Sequence, residues 1–285
     1  MCKSNNAILS VCSLSTVVNE GTESMKVAIV QNPEEGSKLA AEIFIAQVQQ
    51  NPKTVLGLAT GSTPVKLYNL LAEANRAGVV SFKECQSFNL DEYIGLAPTH
   101  EQSYHYFMKT QLFDHIDIDQ TKTHVPDGLA RDIAASCKAY EEAIAAAGGI
   151  DIQLLGIGSD GHIAFNEPGC SLACRTHSQV LTQQTISDNA RLFFNGRIEE
   201  VPTQAVTMGI GSIMDAKRVV LLAFGKGKQE AIAGLVEGAV TTMCPCSALQ
   251  YHNDCIVICD EEAAGKLRNV AYYKYIFSQT GVSNI

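Results

Sequence analysis

Short apolar, β-branched runs alternate along the chain with longer segments whose apolar positions recur every three to four residues. The runs Lys26–Val30, Thr54–Ala59, Cys85–Asn89, Ile150–Ile157, Ala205–Met208, Arg218–Phe224 and Cys255–Cys259 read as strands. Between them, Glu35–Gln50, Pro64–Ala77, Ser103–Leu112, Leu129–Ala147, Ile210–Asp215 and Lys228–Gly234 read as helices. Strands separated by helices form βαβ units, and these build a parallel sheet. Val219–Phe224 is continuously apolar, as a strand buried on both faces must be. No repeat, low-complexity stretch or linker interrupts the pattern. It predicts one α/β domain on a single open, mostly parallel sheet with helices on both faces, spanning residues 25–285. Residues 1–24 carry one lysine and a broken apolar stretch, Ala7–Cys12, too short and interrupted for a secretory signal. They read as a disordered N-terminal extension.

Composition narrows the function. The 285 residues are 46 % hydrophobic and 18 % charged, with a net charge of −9. No basic stripe offsets that balance, which argues against nucleic acid as a partner. A few local Lys and Arg can still make a pocket for a small anion. No apolar run approaches the ~18 residues that a membrane span requires. The 10 cysteines form no disulfide framework, and several fall in apolar runs, as free thiols do in a reducing cytoplasm. Cys244-Pro245-Cys246 followed by Cys255 and Cys259 departs from zinc-site spacing, because the last two fall inside a strand. No metal is expected.

Ligands of open α/β sheets gather outside the carboxyl ends of the strands. Four segments there carry chemistry. After the strand Thr54–Ala59 comes Thr60-Gly61-Ser62-Thr63-Pro64, with Thr63 suited to cap a helix and Pro64 to begin it. Unsatisfied N–H groups at a helix start, a glycine that admits close approach and three hydroxyls suit a phosphate. The G-x-x-x-x-G-K-[ST] nucleotide loop is absent. The second segment is Ser87-Phe88-Asn89-Leu90-Asp91-Glu92-Tyr93, where at most one of the adjacent carboxylates can face a given ligand.

The third segment contains Gly156, Gly158 and Gly161 in G-x-G-x-x-G spacing, but Pro168-Gly169 breaks the chain too soon for a dinucleotide-binding helix. Thr176–Ile186 holds no acid to take a ribose, and Ile157 stands where a nucleophile elbow needs glycine. What remains is His162 between Asp160 and Glu167. Two carboxylates can fix an imidazole's tautomer and raise its basicity, making it a general acid or base. The fourth segment is basic: Arg191 after Asn189-Ala190, and Lys228 in Gly225-Lys226-Gly227-Lys228. Lysine meets a phosphate as a point charge and arginine clamps it with two bonds.

Taken in order, these segments resemble the glucosamine-6-phosphate deaminase (isomerase) family. The resemblance rests on Leu58–Pro64, Ser87–Tyr93, the highly specific Gly158-Ser159-Asp160-Gly161-His162-Ile163-Ala164-Phe165-Asn166-Glu167-Pro168, Ser171–Thr176 and Thr207–Gly211, and it covers about Met25 to Tyr275. It implies a modified Rossmann-like sheet. It implies conversion of glucosamine 6-phosphate and water to fructose 6-phosphate and ammonium, in amino-sugar catabolism, without cofactor or metal. Matched by position, Asp91 is the base that moves the C2 proton to C1, His162 opens the sugar ring, and Asp160 and Glu167 hold His162. Thr60, Gly61, Ser62, Thr63, Arg191 and Lys228 receive the phosphate. The partner so implied is a small amino-sugar phosphate, with a homo-oligomer left open. Related readings are a galactosamine-6-phosphate deaminase/isomerase, a 6-phosphogluconolactonase or a non-catalytic sugar-phosphate sensor. Some members are hexamers activated by N-acetylglucosamine 6-phosphate through two cations after Ser-Arg-Thr. Here His177 and Gln179 occupy those positions, so hyperbolic kinetics with little activation is expected.

Overall fold

A computed structural model describes residues 25–280, and the extension expected over residues 1–24 lies outside the described residues. The chain runs β1 (Lys26–Val30), α1 (Pro33–Gln50), β2 (Val55–Leu58), α2 (Val65–Arg76), β3 (Gln86–Asn89), β4 (Asp91–Tyr93), α3 (Tyr104–Gln111), β5 (Thr123–His124) and α4 (Ile133–Ala146). It continues through β6 (Ile152–Leu155), β7 (His177–Val180), α5 (Gln183–Phe193), β8 (Gln204–Thr207), α6 (Ile210–Met214), β9 (Arg218–Ala223), α7 (Gln229–Glu237), β10 (Cys255–Asp260) and α8 (Val270–Thr280). No helix among the described residues is long and apolar enough to cross a membrane.

Local chemistry explains the clearest elements. Asn32 caps α1 by accepting from the Glu35 N–H at 2.9 Å, Pro33 opens the helix, and Glu34 and Glu35 meet its positive end. Leu39, Ala40, Ile43, Phe44 and Val48 then recur at helical spacing and are buried. Every residue of β2, β6 and β10 is buried, so both faces of the sheet centre are covered.

Seven strands form the main sheet in the order β1-β10-β9-β6-β2-β3-β5, and all neighbours pair in parallel. The open, parallel α/β sheet expected from the apolar pattern is thus present. From β2 the chain moves outward to β3, whereas from β6 it moves the other way toward β9. The adjacent pair β2 and β6 therefore marks the point where the winding reverses, which is where a crevice opens outside the strand ends.

A second sheet was not foreseen. β4, β8 and β7 pair antiparallel in that order, so Ala205–Met208 belongs here rather than to the main sheet. β4 begins one residue after β3 ends. At that residue the Leu90 N–H still bonds Leu58 O of the main sheet, while Leu90 O accepts from Met208 N. Beneath this small sheet lies a separate core of Tyr93, Phe165, Leu181, Ile186, Ala190, Phe194, Val201 and Ala205.

Candidate active site

β9, β6, β2 and β3 are consecutive in the main sheet, and parallel pairing puts all their carboxyl ends on one edge. The segments after Thr54–Ala59, Cys85–Asn89, Ile150–Ile157 and Arg218–Phe224 leave from that edge, whereas Arg191 lies on α5, which follows β7 of the small sheet. The loop after β6 carries the densest polar set. His162 Nδ1 lies 2.7 Å from Asp160 Oδ1 and 3.7 Å from Glu167 Oε2. The His162 main-chain N–H also donates to Asp160 Oδ1 at 3.1 Å. Burial works against ionising Asp160, but the His162 ring and main chain outweigh it and draw the carboxyl down to about 2. Asp160 is therefore an anion throughout the neutral range.

Glu167 is 4 % exposed, and its Oε1 accepts from Thr182 N (3.1 Å) and Thr185 Oγ1 (2.6 Å). Glu167 Oε2 and His162 Nδ1 are both buried without an aligned hydrogen-bond partner. They face each other, so a modest turn of the ring gives the imidazole N–H to either carboxylate. Catalytic hydrogen bonds often tighten in this way when substrate binds. Two glycines make room for the ring and its loop. A Cβ at Gly158 would strike the His162 ring, and Gly161 takes φ +87°, in the left-handed region that glycine adopts readily.

At the end of β3 the two adjacent acids part company. The Glu92 carboxylate accepts from the N–H groups of Tyr93, Tyr104 and His105 at 2.8–3.0 Å and lies 2.9 Å from His105 Nδ1, which seats it on the start of α3. Asp91 sits on the other face of β4, is 6 % exposed, and receives no hydrogen bond among the described residues. Burial, helped by the Glu92 charge, pushes it up to about 8. Its register partner Thr207 accepts from the Phe165 N–H at 3.0 Å, which ties the strand beside Asp91 to the His162 loop. Asn166 reinforces that tie by donating to Met208 O at 2.8 Å.

The remaining candidates are arranged less tightly. Thr60, Gly61, Ser62 and Thr63 form the turn between β2 and α2, and Gly61 takes φ +96°. The expected cap is displaced. α2 begins at Val65, Pro64 holds the cap position, and no side chain caps the helix, so Thr63 belongs to the turn. That leaves the N–H groups there without a protein side-chain acceptor. Lys228 sits immediately before α7, and its Nζ donates to Ile157 O at 2.6 Å, at the end of β6. Burial lowers its pKa, against the pull of Asp188 and Asp160. Arg191 lies on α5, is largely exposed, and pairs with Asp188 Oδ1 at 3.2 Å. The Lys228 charge also acts on Asp188, so that carboxylate links the two cations.

The sequence reading picked out Arg191 but missed the helix α5 that carries it and the other groups at its start and buried face. Thr182 caps α5, Thr185 steadies Glu167, and Asn189 donates to the Tyr93 hydroxyl at 2.8 Å. Its signal was a capping threonine before Ile186, Ala190 and Phe194, spaced by four, all of which are buried. Tyr104, half-buried and within reach of Thr60, carried no such signal.

Among the described residues, Asp160, His162 and Glu167 are the only group of His, Cys, Asp or Glu whose ligating atoms lie close enough together, within 4.8 Å, to hold a metal ion. Both carboxylates already take hydrogen bonds, Glu167 from two threonines and Asp160 from the His162 main chain. The donor set suits an imidazole held between two acids better than a metal centre.

The family model of glucosamine-6-phosphate isomerases/6-phosphogluconolactonase matches residues 34–258. A glucosamine-6-phosphate deaminase of Shewanella woodyi is 56 % identical over 252 residues, covering 88 % of this chain and 95 % of its own. A solved monomeric glucosamine-6-phosphate deaminase superposes with a TM-score of 0.82 at 44 % identity, over 85 % of this chain and 100 % of that one. A 6-phosphogluconolactonase from Trypanosoma cruzi shares the fold, with a TM-score of 0.71 at 23 % identity over 87 % of this chain and 98 % of its own.

Proposed function

We propose, for a chain that belongs to the family of glucosamine-6-phosphate isomerases and 6-phosphogluconolactonases, the reaction for which its half-identical relatives are named: deamination of glucosamine 6-phosphate. The substrate and water give fructose 6-phosphate and ammonium. The observation that carries this reading is the placement of a buried, unbonded carboxyl at Asp91, after β3, and a second acid/base group at His162, after β6, on the same edge of the sheet with only β2 between those strands. Moving a carbon-bound proton takes a carboxylate at close range, and opening a pyranose takes a separate group near the ring oxygen.

In this reading His162 carries the proton of ring opening. Asp160, an anion at neutral pH, and Glu167 stabilise the imidazolium that results. Asp91 then takes the proton from C2, which leaves an enolamine, and returns it to C1. The imine so formed adds water and releases ammonia, which leaves as ammonium. A carboxyl near 8 is suited to accept and return a proton of this kind. The Thr60–Thr63 turn, Lys228 and Arg191 hold the phosphate, whose binding energy orients the distant C1 and C2.

The direct test is ammonium release, measured with fructose 6-phosphate formation and with EDTA present. Equimolar products at an undiminished rate are expected. Hydrolysis of 6-phosphogluconolactone with no ammonium from the amino sugar would overturn the reading, since a lactonase does not need Asp91 as a proton carrier. Lys228→Ala should raise KM by about 10-fold or more, because a hydrogen bond to a charged group contributes ~1.5–3 kcal/mol, and should change kcat less. An equal fall in kcat at unchanged KM would place Lys228 elsewhere in the mechanism.

Activation by N-acetylglucosamine 6-phosphate should be weak. Arg175 is already held by Glu141 (2.8 Å) and Asp215 (2.6 Å), and His177 Nε2 lies 3.2 Å from Gln179 Oε1. Such a segment offers little differential affinity for an anion, and a ligand shifts a conformational equilibrium only by that difference. Velocity against substrate should be hyperbolic, and the acetylated sugar should change it less than about twofold. Sigmoidal curves that the ligand makes hyperbolic would contradict this.

A further inference from the structure

Cys244 Sγ and Cys246 Sγ lie 3.5 Å apart, on a turn packed directly under the loop that carries Asp160 and His162. Cys246 N–H donates to Gly161 O at 2.9 Å. A Cβ at Gly161 would fall 2.7 Å from Cys244 Sγ and 3.3 Å from Cys246 Sγ. On its other side Cys244 Sγ meets Gly234, where a Cβ would fall 2.8 Å away. The Cys244 sulfur is thus wedged between two glycines, one of them inside the catalytic loop. Cys244 is half-buried beside the exposed Thr241, Thr242 and Met243, whereas Cys246 is fully buried. One thiol belongs to a half-buried residue, and its neighbour is shielded and within reach.

We propose that Cys244 and Cys246 form a hydroperoxide-responsive modification site, whose closure to a disulfide displaces the Asp160–His162 loop and switches turnover off. The switching part rests on the deaminase reading above, and the modification itself does not. The Cys244 thiolate attacks the peroxide, the O–O bond breaks, and Cys244 becomes a sulfenic acid as one alcohol or water leaves. The Cys246 thiol then attacks that sulfur, an S–S bond forms, and a second water leaves. In sum, two thiols and one hydroperoxide give one disulfide, one alcohol (water, from hydrogen peroxide) and one water. The dithiol is oxidised by two electrons and the peroxide reduced by two. The Cys246 thiol and the Ser247 N–H, outweighing burial and the Asp160 charge, lower the Cys244 thiol from its ordinary value, which favours the thiolate there.

Closure has to bring the sulfurs from 3.5 Å to about 2.05 Å. The sulfur that closes is the one filling the space beside Gly161 and Gly234, so closure changes the packing beneath the catalytic loop. The Gly161 wall holds the general acid/base group on its next residue. A misplacement of about 1 Å at a reacting group can cost on the order of 100-fold in rate.

The test uses the full chain and hydrogen peroxide. Activity on glucosamine 6-phosphate is measured before treatment, after treatment and after dithiothreitol, and each sample is mapped by mass spectrometry. The expected result is a Cys244–Cys246 disulfide with a loss of activity of 10-fold or more, both reversed by the reductant. Cys244→Ser should keep its activity through the same treatment. Cys246→Ala, which retains the main-chain bond to Gly161, should form no such disulfide. Inactivation with both thiols still free in the map, or a complete disulfide with unchanged activity, would overturn the proposal. Protein inactive on the amino sugar before any treatment would instead count against the deaminase reading, and the disulfide map would still decide the modification.

Discussion

Asp91→Asn is expected to lower kcat by about 10³-fold, within the 10²–10⁴ that a positioned general base contributes, while substrate still binds. The amide preserves size and polarity but cannot accept the C2 proton. The same substitution should stabilise the fold, with a pH dependence fixed in sign. The carboxyl is raised to about 8 by burial and by Glu92. Below the ordinary carboxylate range both folded and unfolded chains hold the proton, and Asp91 contributes no pH dependence. Between that range and about 8 the unfolded chain has lost the proton and the folded chain keeps it, so stability falls as pH rises. Above about 8 the full cost of a buried, unbonded anion is present. Asparagine carries no such cost. Its Tm should match the parent near pH 4 and exceed it by about 5 °C or more near pH 9. Thermal unfolding of the two proteins across pH checks this. A lower Tm for the variant at pH 9 would mean that Asp91 stabilises the fold in a way its surroundings do not show.

The second large effect is expected at Asp160→Asn. The carboxylate lies 2.7 Å from His162 Nδ1 and remains ionised at neutral pH, so it fixes the ring and favours its protonated form. Asparagine keeps the shape and removes the charge, leaving Glu167 Oε2, at 3.7 Å, as the one anion beside the ring. We expect kcat to fall by about 10²–10³-fold with KM within about threefold, because the phosphate contacts are untouched. Wild-type kcat in the variant would show that Glu167 alone orients the ring.

Both predictions concern residues that were readable before any coordinates. The parallel sheet was legible because Val55–Leu58, Val219–Ala223 and Cys255–Cys259, buried on both faces, appear as apolar runs. The candidate site was legible because most of its polar residues follow directly on strands of that sheet. What was not legible depends on tertiary contact. β7, His177–Val180, is an edge strand with alternating half-buried and exposed polar positions, and β5 has two residues. Neither carries a local signal, since strand preference is mostly a matter of neighbours. α5 was hidden by its polar first turns, although Ile186, Ala190 and Phe194 mark its buried face. Thr63 has the side chain of a cap, but the Gly61 turn delays the helix by one residue and Pro64 takes the position instead. The separation of Asp91 from Glu92 followed from strand alternation, but which acid would be consumed by the start of α3 did not. Only the placement of Tyr104 and His105 settles that.

The central claim is that this chain moves the C2 proton of an amino-sugar phosphate with Asp91. Glucosamine 6-phosphate deuterated at C2 tests it most directly, followed by NMR of substrate and product with the parent protein and with Asp91→Asn. For the parent, the account predicts ammonium release slowed by the label, with the deuterium found at C1 of fructose 6-phosphate or lost to water. For the variant, it predicts deuterium retained at C2 of bound and recovered substrate. Loss of the C2 label at the parental rate in Asp91→Asn would contradict it.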